Sequence, residues 1–173
     1  MEQRLISIDI ETLGINSNSP ILSIGACDNE GRIYYTNLDV QSQIENGAVT
    51  DWSTVHWWMH QSEAARASLH EFGLPPREAL FQLSAEFEWD KAEVWVNGLN
   101  FDIPILENAY KRFGMNVPWK YTQCRDLRTL VKLLPHIQKH KPAVAHNALS
   151  DAEAQLATLT ECLKSLKQLT AKV

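Results

Sequence analysis

Cysteine is scarce in this chain and poorly spaced for chemistry. Cys27, Cys124 and Cys162 are far apart and odd in number, and none belongs to the C-x-x-C spacing of a zinc site or a redox motif. That argues against a disulfide framework and a thiolate-held metal, and reduced, buried thiols are expected. Long apolar runs are missing too. No window approaches the roughly 18 apolar residues that would span a bilayer, and the opening MEQRLISIDIETLG has no apolar stretch behind a basic segment. A cytoplasmic protein with no membrane partner is the expectation. Positive charge is also in deficit, with 16 Lys and Arg against 21 Asp and Glu for a formal charge of -5. Phosphate contacts normally draw on an excess of Lys and Arg, so a nucleic-acid partner needs a reason for the acidity. Several carboxylates gathered around divalent cations would supply part of it. Internal repeats and low-complexity tracts are absent as well.

What is present is enough for a core: 45% hydrophobic and 21% charged residues over 173 positions suit one globular domain spanning 1–173. Leu5 to Ile10 is short, apolar and β-rich, and Ile21 to Cys27 and Ile33 to Leu38 continue it as a meander through the turn at Asp28 to Gly31. The pattern becomes helical from Asp51 to Leu69. Pro75-Pro76 interrupts it, and a 3.6-residue period resumes from Arg77 to Trp89. Val94 to Val96 reads as a short buried strand, Ile103 to Phe113 as a helix stopped by Gly114, Thr122 to Arg125 as a strand, and Leu127 to Leu134 as a helix ended by Pro135. The longest helical pattern is Ala148 to Leu169, with an apolar stripe through Leu149, Ala152, Leu156, Leu159, Leu163 and Leu166. Gln41 to Gly47 and His136 to Pro142 are the expected long loops. Strands followed by alternating helices and strands indicate a mixed α/β domain.

Three short segments carry candidate chemistry. In Ile8-Asp9-Ile10-Glu11 the side chains alternate, so the two isoleucines share one side of a strand and Asp9 and Glu11 the other. Two neighbouring acids raise each other's pKa or call for a cation between them; alone, the pair is equally readable as a solvated strand face. Asp102 follows the small-residue turn Asn97 to Phe101 and opens a helix carrying Pro104 in its first turn, where an acid also suits the helix dipole. In His146-Asn147-Ala148-Leu149-Ser150-Asp151, either Asn147 or Ser150 caps the last helix. His146 then projects from the adjoining loop, because a separation of five does not place it on one helical face with Asp151.

Taken together, D-I-E-T, N-x-x-F-D and H-N-A-L-S-D-A resemble the DEDDh branch of the DnaQ-like exonuclease superfamily, whose motifs are D-x-E, an internal Asp after a strand, and H-x(4)-D. All five positions match, in family order, over residues 4 to about 160. The resemblance implies an RNase H-like α/β fold, a central mixed β-sheet flanked by α-helices. It implies a 3′ to 5′ exonuclease releasing mononucleotides from single-stranded RNA or DNA with a free 3′ end. Two Mg²⁺ or Mn²⁺ ions, roughly 3.5 to 4 Å apart in such chemistry, would serve an in-line displacement and prefer carboxylate oxygens. Asp9 would bridge both ions, Glu11 and Asp151 would help hold one, and Asp102 would act on the other. His146 would be the general base, since an imidazole titrates near neutrality. Relatives often pair, so a homodimer is an expected assembly.

Thr12 and Leu13 would contact the terminal nucleotide, Leu13 being equally readable as packing. Trp57 and Trp58 cannot lie on one side of a helix, and one of them is expected to stack on a base. The segment Thr54 to Trp58 also resembles a smaller phage and bacterial exoribonuclease branch, which inclines the reading to RNA. His56 and His60 have i, i+4 spacing but no third ligand nearby, so zinc is not expected. Arg125, Arg128, Lys139 and Lys141 are candidate phosphate contacts, and Asp126 is expected to start a helix. Two other readings stand beside this one, a non-catalytic nucleic-acid-binding module and an RNase H-type endonuclease. The complete five-residue set argues against the first and H-x(4)-D against the second.

Overall fold

The computed structural model describes residues 3–69 and 72–171. Its centre is a five-stranded sheet in the order β3-β2-β1-β4-β5. Strands β1 (Leu5–Thr12), β2 (Ile21–Asp28) and β3 (Ile33–Asn37) form the expected antiparallel meander. Strand β4 (Glu93–Val96) joins β1 in parallel, and β5 (Cys124–Asp126) joins β4 in parallel. The sheet is therefore mixed, as expected.

Alternation along β1 decides what lies on each side. Ile6, Ile8 and Ile10 enter the larger core with Leu80 and Leu83 of α4 (Pro76–Glu86) and Leu106 and Tyr110 of α5 (Asp102–Arg112). Leu5, on the opposite face, packs with Trp95, Leu127 of α6 (Leu127–Leu133) and Leu159 of α7 (Ala148–Thr170). Asp9 and Glu11 share that second face. The smaller helices α1 (Val40–Glu45), α2 (Trp52–Met59) and α3 (Glu63–Ala67) lie between β3 and α4 in the chain.

Four local expectations change. Gln41 to Gly47, expected as loop, contains α1, which Asp39 caps by accepting from the Ser42 amide at 3.3 Å. Its Gln43 is buried and pairs with both the N–H and the C=O of Ile21 at 2.8 Å, a tertiary contact that no local pattern announces. The helical stretch from Asp51 to Leu69 is two helices, because Ser62 caps α3 through the Ala65 amide at 3.1 Å. The expected strand at Thr122 to Arg125 begins two residues later, after a 3₁₀ turn at Tyr121–Gln123 in which the Gln123 amide donates to Trp89 and Ala92 carbonyls. On α7 the buried face runs through Ala148, Ala152, Gln155, Leu159 and Cys162, rotated from the leucine stripe. Small and polar residues sit there because the sheet beneath the first turns offers Gly25 and carboxylates instead of hydrocarbon. Cys27 and Cys162 are buried thiols, as expected, whereas Cys124 is only half-buried.

Candidate active site

The site grows from the close seating of α7 on the sheet. Asp9 pairs with Gly25 in the β1–β2 ladder. A methyl group on Gly25 would lie 2.1 Å from the Ala148 carbonyl carbon and 2.2 Å from the Leu149 nitrogen. The first turn of α7 thus rests on bare backbone. Asn147 caps that turn, accepting from the Ser150 amide at 3.0 Å, which settles the choice between Asn147 and Ser150. One turn along, Asp151 meets Asp9 and Glu11, and one ligand oxygen from each lies within 4.8 Å of the others. Another turn on, Gln155 donates from Nε2 to Asp9 Oδ1 at 2.7 Å.

Asp102 begins α5 and is buried; the preceding loop turns at Gly98, whose φ of +149° is costly for residues with a side chain. Asp126 fixes this loop, accepting from the Leu99 amide at 3.3 Å while capping α6 through the Thr129 amide at 3.1 Å. Its expected helix-start role is therefore seen. A register shift between Glu11 and Thr12 ends the regular β1 ladder beside the cluster, and such irregularities re-aim side chains near sites. Thr12 is buried and donates to the Gly14 carbonyl at 2.6 Å.

Burial and mutual repulsion dominate the electrostatics. Burial, followed by Asp102, Glu11 and Asp151, drives the Asp9 pKa well up, against the lowering contact from Gln155. Glu11 is pushed to about 8 by burial and then by Asp151 and Asp102. Asp102 is raised to about 7 by burial, opposed by its own amide, that of Ile10, and Arg128. Asp151 is raised by burial, with the His146 and Asn147 amides and the His146 ring pulling it down. Asp151 Oδ2, Gln155 Oε1 and Asn97 Oδ1 are buried oxygens without a protein donor, and all three residues line one hollow of about 210 Å³ that also includes Asp9, Lys139 and His140. Clustered carboxylates with raised pKa values and unpaired oxygens fit hard divalent cations, which take oxygen ligands and cancel such repulsion. Among the described residues, Asp9, Glu11 and Asp151 are the group of His, Cys, Asp or Glu side chains placed to hold an ion, and Asp102 stands outside it. His56 and His60 stack on one another at 4.5 Å between ring centroids and do not belong to it.

His146 stands in the loop before α7 with φ at +62°. Its ring meets Trp57 edge to face at 4.8 Å and Trp58 at 6.3 Å. The two tryptophans differ: Trp58 is 6% exposed and donates from Nε1 to the Thr12 carbonyl at 2.9 Å, while Trp57 is 42% exposed. A cleft of about 380 Å³ opens beside Glu11, bounded by Thr12, Ile15, Trp57, Trp58 and Phe101. Leu13 does not line it. Its backbone bonds Pro20 and Asp51, and the exposed apolar side chain here is Ile15. Of the candidate phosphate contacts, Arg125 is engaged with Glu93 at 3.4 Å and Arg128 with the Asn97 carbonyl at 2.8 Å. Lys139 faces the hollow holding Asp9 and Asp151. Sequence reasoning missed Gln155, Ile15 and Phe101; only Gln155 left a signal, standing at i+4 from Asp151 on the same helical face.

Residues 4–163 match the family model of the Rv2179c-like 3′–5′ exoribonuclease domain. No curated protein matches the chain by sequence. A zinc-bound E. coli exonuclease I–ssDNA complex superposes over 97% of this chain and 42% of its own, with 13% identity and a TM-score of 0.70. E. coli exonuclease I in complex with a dT13 oligonucleotide superposes over 100% and 46%, with 14% identity and a TM-score of 0.65. A family B DNA polymerase from Pyrobaculum calidifontis matches over 94% and 25%, with 13% identity and a TM-score of 0.54. This chain spans less than half the length of the exonuclease I chains it matches. At these identities the structural likeness carries the fold, while the family model carries the membership: the chain belongs to the Rv2179c-like 3′–5′ exoribonuclease domain family, on the RNase H-like fold of the DnaQ-like exonucleases.

Proposed function

We propose that the protein is a divalent-metal-dependent 3′ to 5′ exonuclease that removes mononucleotides from single-stranded nucleic acid, with RNA preferred over DNA. The carrying observation is the convergence of Asp9, Glu11 and Asp151 within 4.8 Å at the seat of α7, with His146 in the loop that leads into that helix. The family's name supports RNA, while the exonuclease I neighbours are complexes with DNA strands.

Asp9, Glu11 and Asp151 would hold Mg²⁺ or Mn²⁺, and Asp102 would assist at a second position. Two such ions supply charge neutralisation for the phosphate and the departing oxygen. Gln155 fixes the Asp9 carboxylate by its 2.7 Å hydrogen bond, leaving the other carboxylate oxygen for the ion. His146 would accept the proton of the attacking water, whose oxygen then bonds phosphorus as the bond to the neighbouring O3′ breaks. A nucleoside 5′-monophosphate leaves, and the shortened strand regains a 3′ hydroxyl. The cleft beside Glu11 has an apolar rim of Ile15, Trp57 and Phe101 suited to a terminal base, with Thr12 at its edge. Leu13 would act only through its backbone, as a support for α2.

The test compares matched 3′-labelled and 5′-labelled RNA and DNA oligonucleotides with Mg²⁺, with Mn²⁺ and with excess chelator. Stepwise shortening from the 3′ end, faster on RNA and abolished by chelator, is expected. Cleavage of a circular or 3′-blocked strand, or undiminished activity in chelator, would overturn the reading.

A further inference from the structure

We propose that Trp57 is a positioning residue for His146: its indole, braced by Trp58, holds the imidazole at the mouth of the acidic cluster. This deepens the functional reading above and rests on His146 being the general base. A working imidazole is usually oriented through its second nitrogen by a carboxylate or a carbonyl. Among the described residues, neither ring nitrogen of His146 has a protein hydrogen-bond partner, although His60, His136 and His140 all do. The His146 backbone lies in the left-handed region at φ +62° in the turn before α7, with its amide toward Asp151, and leaves the orientation of the ring unset. Ring packing is what locates the side chain, with Trp57 at 4.8 Å and 84° and Trp58 at 6.3 Å and 81°.

That packing is itself anchored to the strand bearing Asp9 and Glu11. Trp58 meets Trp57 edge to face at 5.1 Å and donates to the Thr12 carbonyl at 2.9 Å, at the end of β1. The Asp51 amide, at the cap of α2, donates to the Leu13 carbonyl at 2.7 Å. Helix α2 thus ties the loop holding His146 to the strand holding two of the acids, beside the direct seating of α7 on that strand. Trp57 acts at the end of that chain.

The test is a double-mutant cycle on a 3′-labelled RNA oligonucleotide with Mn²⁺, using Trp57→Ala, Trp57→Phe, His146→Asn and the Trp57→Ala/His146→Asn pair, together with imidazole ¹H–¹³C spectra. Trp57→Ala should lower kcat by roughly 10- to 100-fold, the scale expected for displacement of a reacting group, over and above any rise in KM from loss of the cleft rim. Trp57→Phe should recover most of that loss. In the His146→Asn background, Trp57→Ala should cost nothing further in kcat. The His146 resonances, identified by their loss in His146→Asn, should move and broaden in Trp57→Ala. A raised KM at unchanged kcat, an equal loss in both backgrounds, or His146 signals unmoved by Trp57→Ala would each overturn the proposal. If His146→Asn keeps the parental kcat, the general-base reading fails instead, and the spectra still decide whether Trp57 holds the ring.

Discussion

Asp9 and Gly25 face one another across the β1–β2 ladder, and the missing side chain at Gly25 lets α7 lie against the strand next to the acid it must reach. Gly25→Ala places a methyl 2.1 Å from main-chain carbon, and backbone cannot swing away as a side chain would. We expect α7 to shift outward, at about 1–3 kcal/mol or more in stability, the range for overpacking, with divalent-ion binding weakened. Thermal unfolding and calorimetric titration with Mn²⁺ on the same sample check this; parental values in both would mean the close approach is dispensable.

Removing one of the proposed ligand acids should separate activity from stability. Asp151→Asn and Glu11→Gln are expected to abolish hydrolysis while the metal-free protein stays folded, because each removes repulsion from the cluster. Unchanged turnover in folded Asp151→Asn protein would remove Asp151 from the site.

The pH dependence follows from Glu11, raised from 4.5 to about 8 in the folded chain. The folded state holds this proton more tightly than the unfolded state. Glu11 therefore costs the metal-free protein stability progressively as pH rises from about 4.5 to about 8, and no more beyond that. Relative to Glu11→Gln, parental melting temperature should fall across that window. Saturating Mg²⁺ should reduce the difference, since an ion bound to the folded state favours the ionised acids. Parallel curves for the two proteins without metal would contradict the assigned environment.

Gln155 touches Asp9 and nothing else in the cluster by hydrogen bond. Gln155→Leu should weaken Mn²⁺ affinity by roughly 10- to 100-fold, as loss of a group orienting a ligand typically does, with the fold retained. Calorimetry that finds parental affinity would make this hydrogen bond incidental.

His146→Asn is the cleaner probe of the proposed base, because asparagine tolerates the left-handed backbone seen at φ +62°. Turnover should fall by about 10²- to 10⁴-fold, with Mn²⁺ affinity near parental. Loss of ion binding in this variant would instead make His146 a ligand.

Much of this was readable from local pattern. Alternation in Ile8-Asp9-Ile10-Glu11 separates core from site because strand geometry leaves little choice, and the order of three short motifs names the family. What was not readable depends on distant partners. Gln43 is buried in α1 because Ile21 supplies both halves of its amide pairing, and in the first turns of α7 the buried face belongs to Ala148, Ala152 and Gln155 in place of Leu149 and Leu156 because of what β1 and β2 present. Trp57 and Trp58 were a symmetrical pair in sequence; only the bond from Trp58 to Thr12 decides which is buried.

The contact between Asp9 and Gln155 spans 146 positions, so the two sides of the acidic cluster meet only through a long-range closure. The meander that carries Asp9 and Glu11 pairs between near neighbours in sequence, whereas Asp151 and the Gln155 clamp arrive on α7 from far along the chain. Closing so long a loop is slow compared with local pairing. A folding chain therefore presents only part of the acidic cluster at first, and the proposed ion site is complete only once α7 docks.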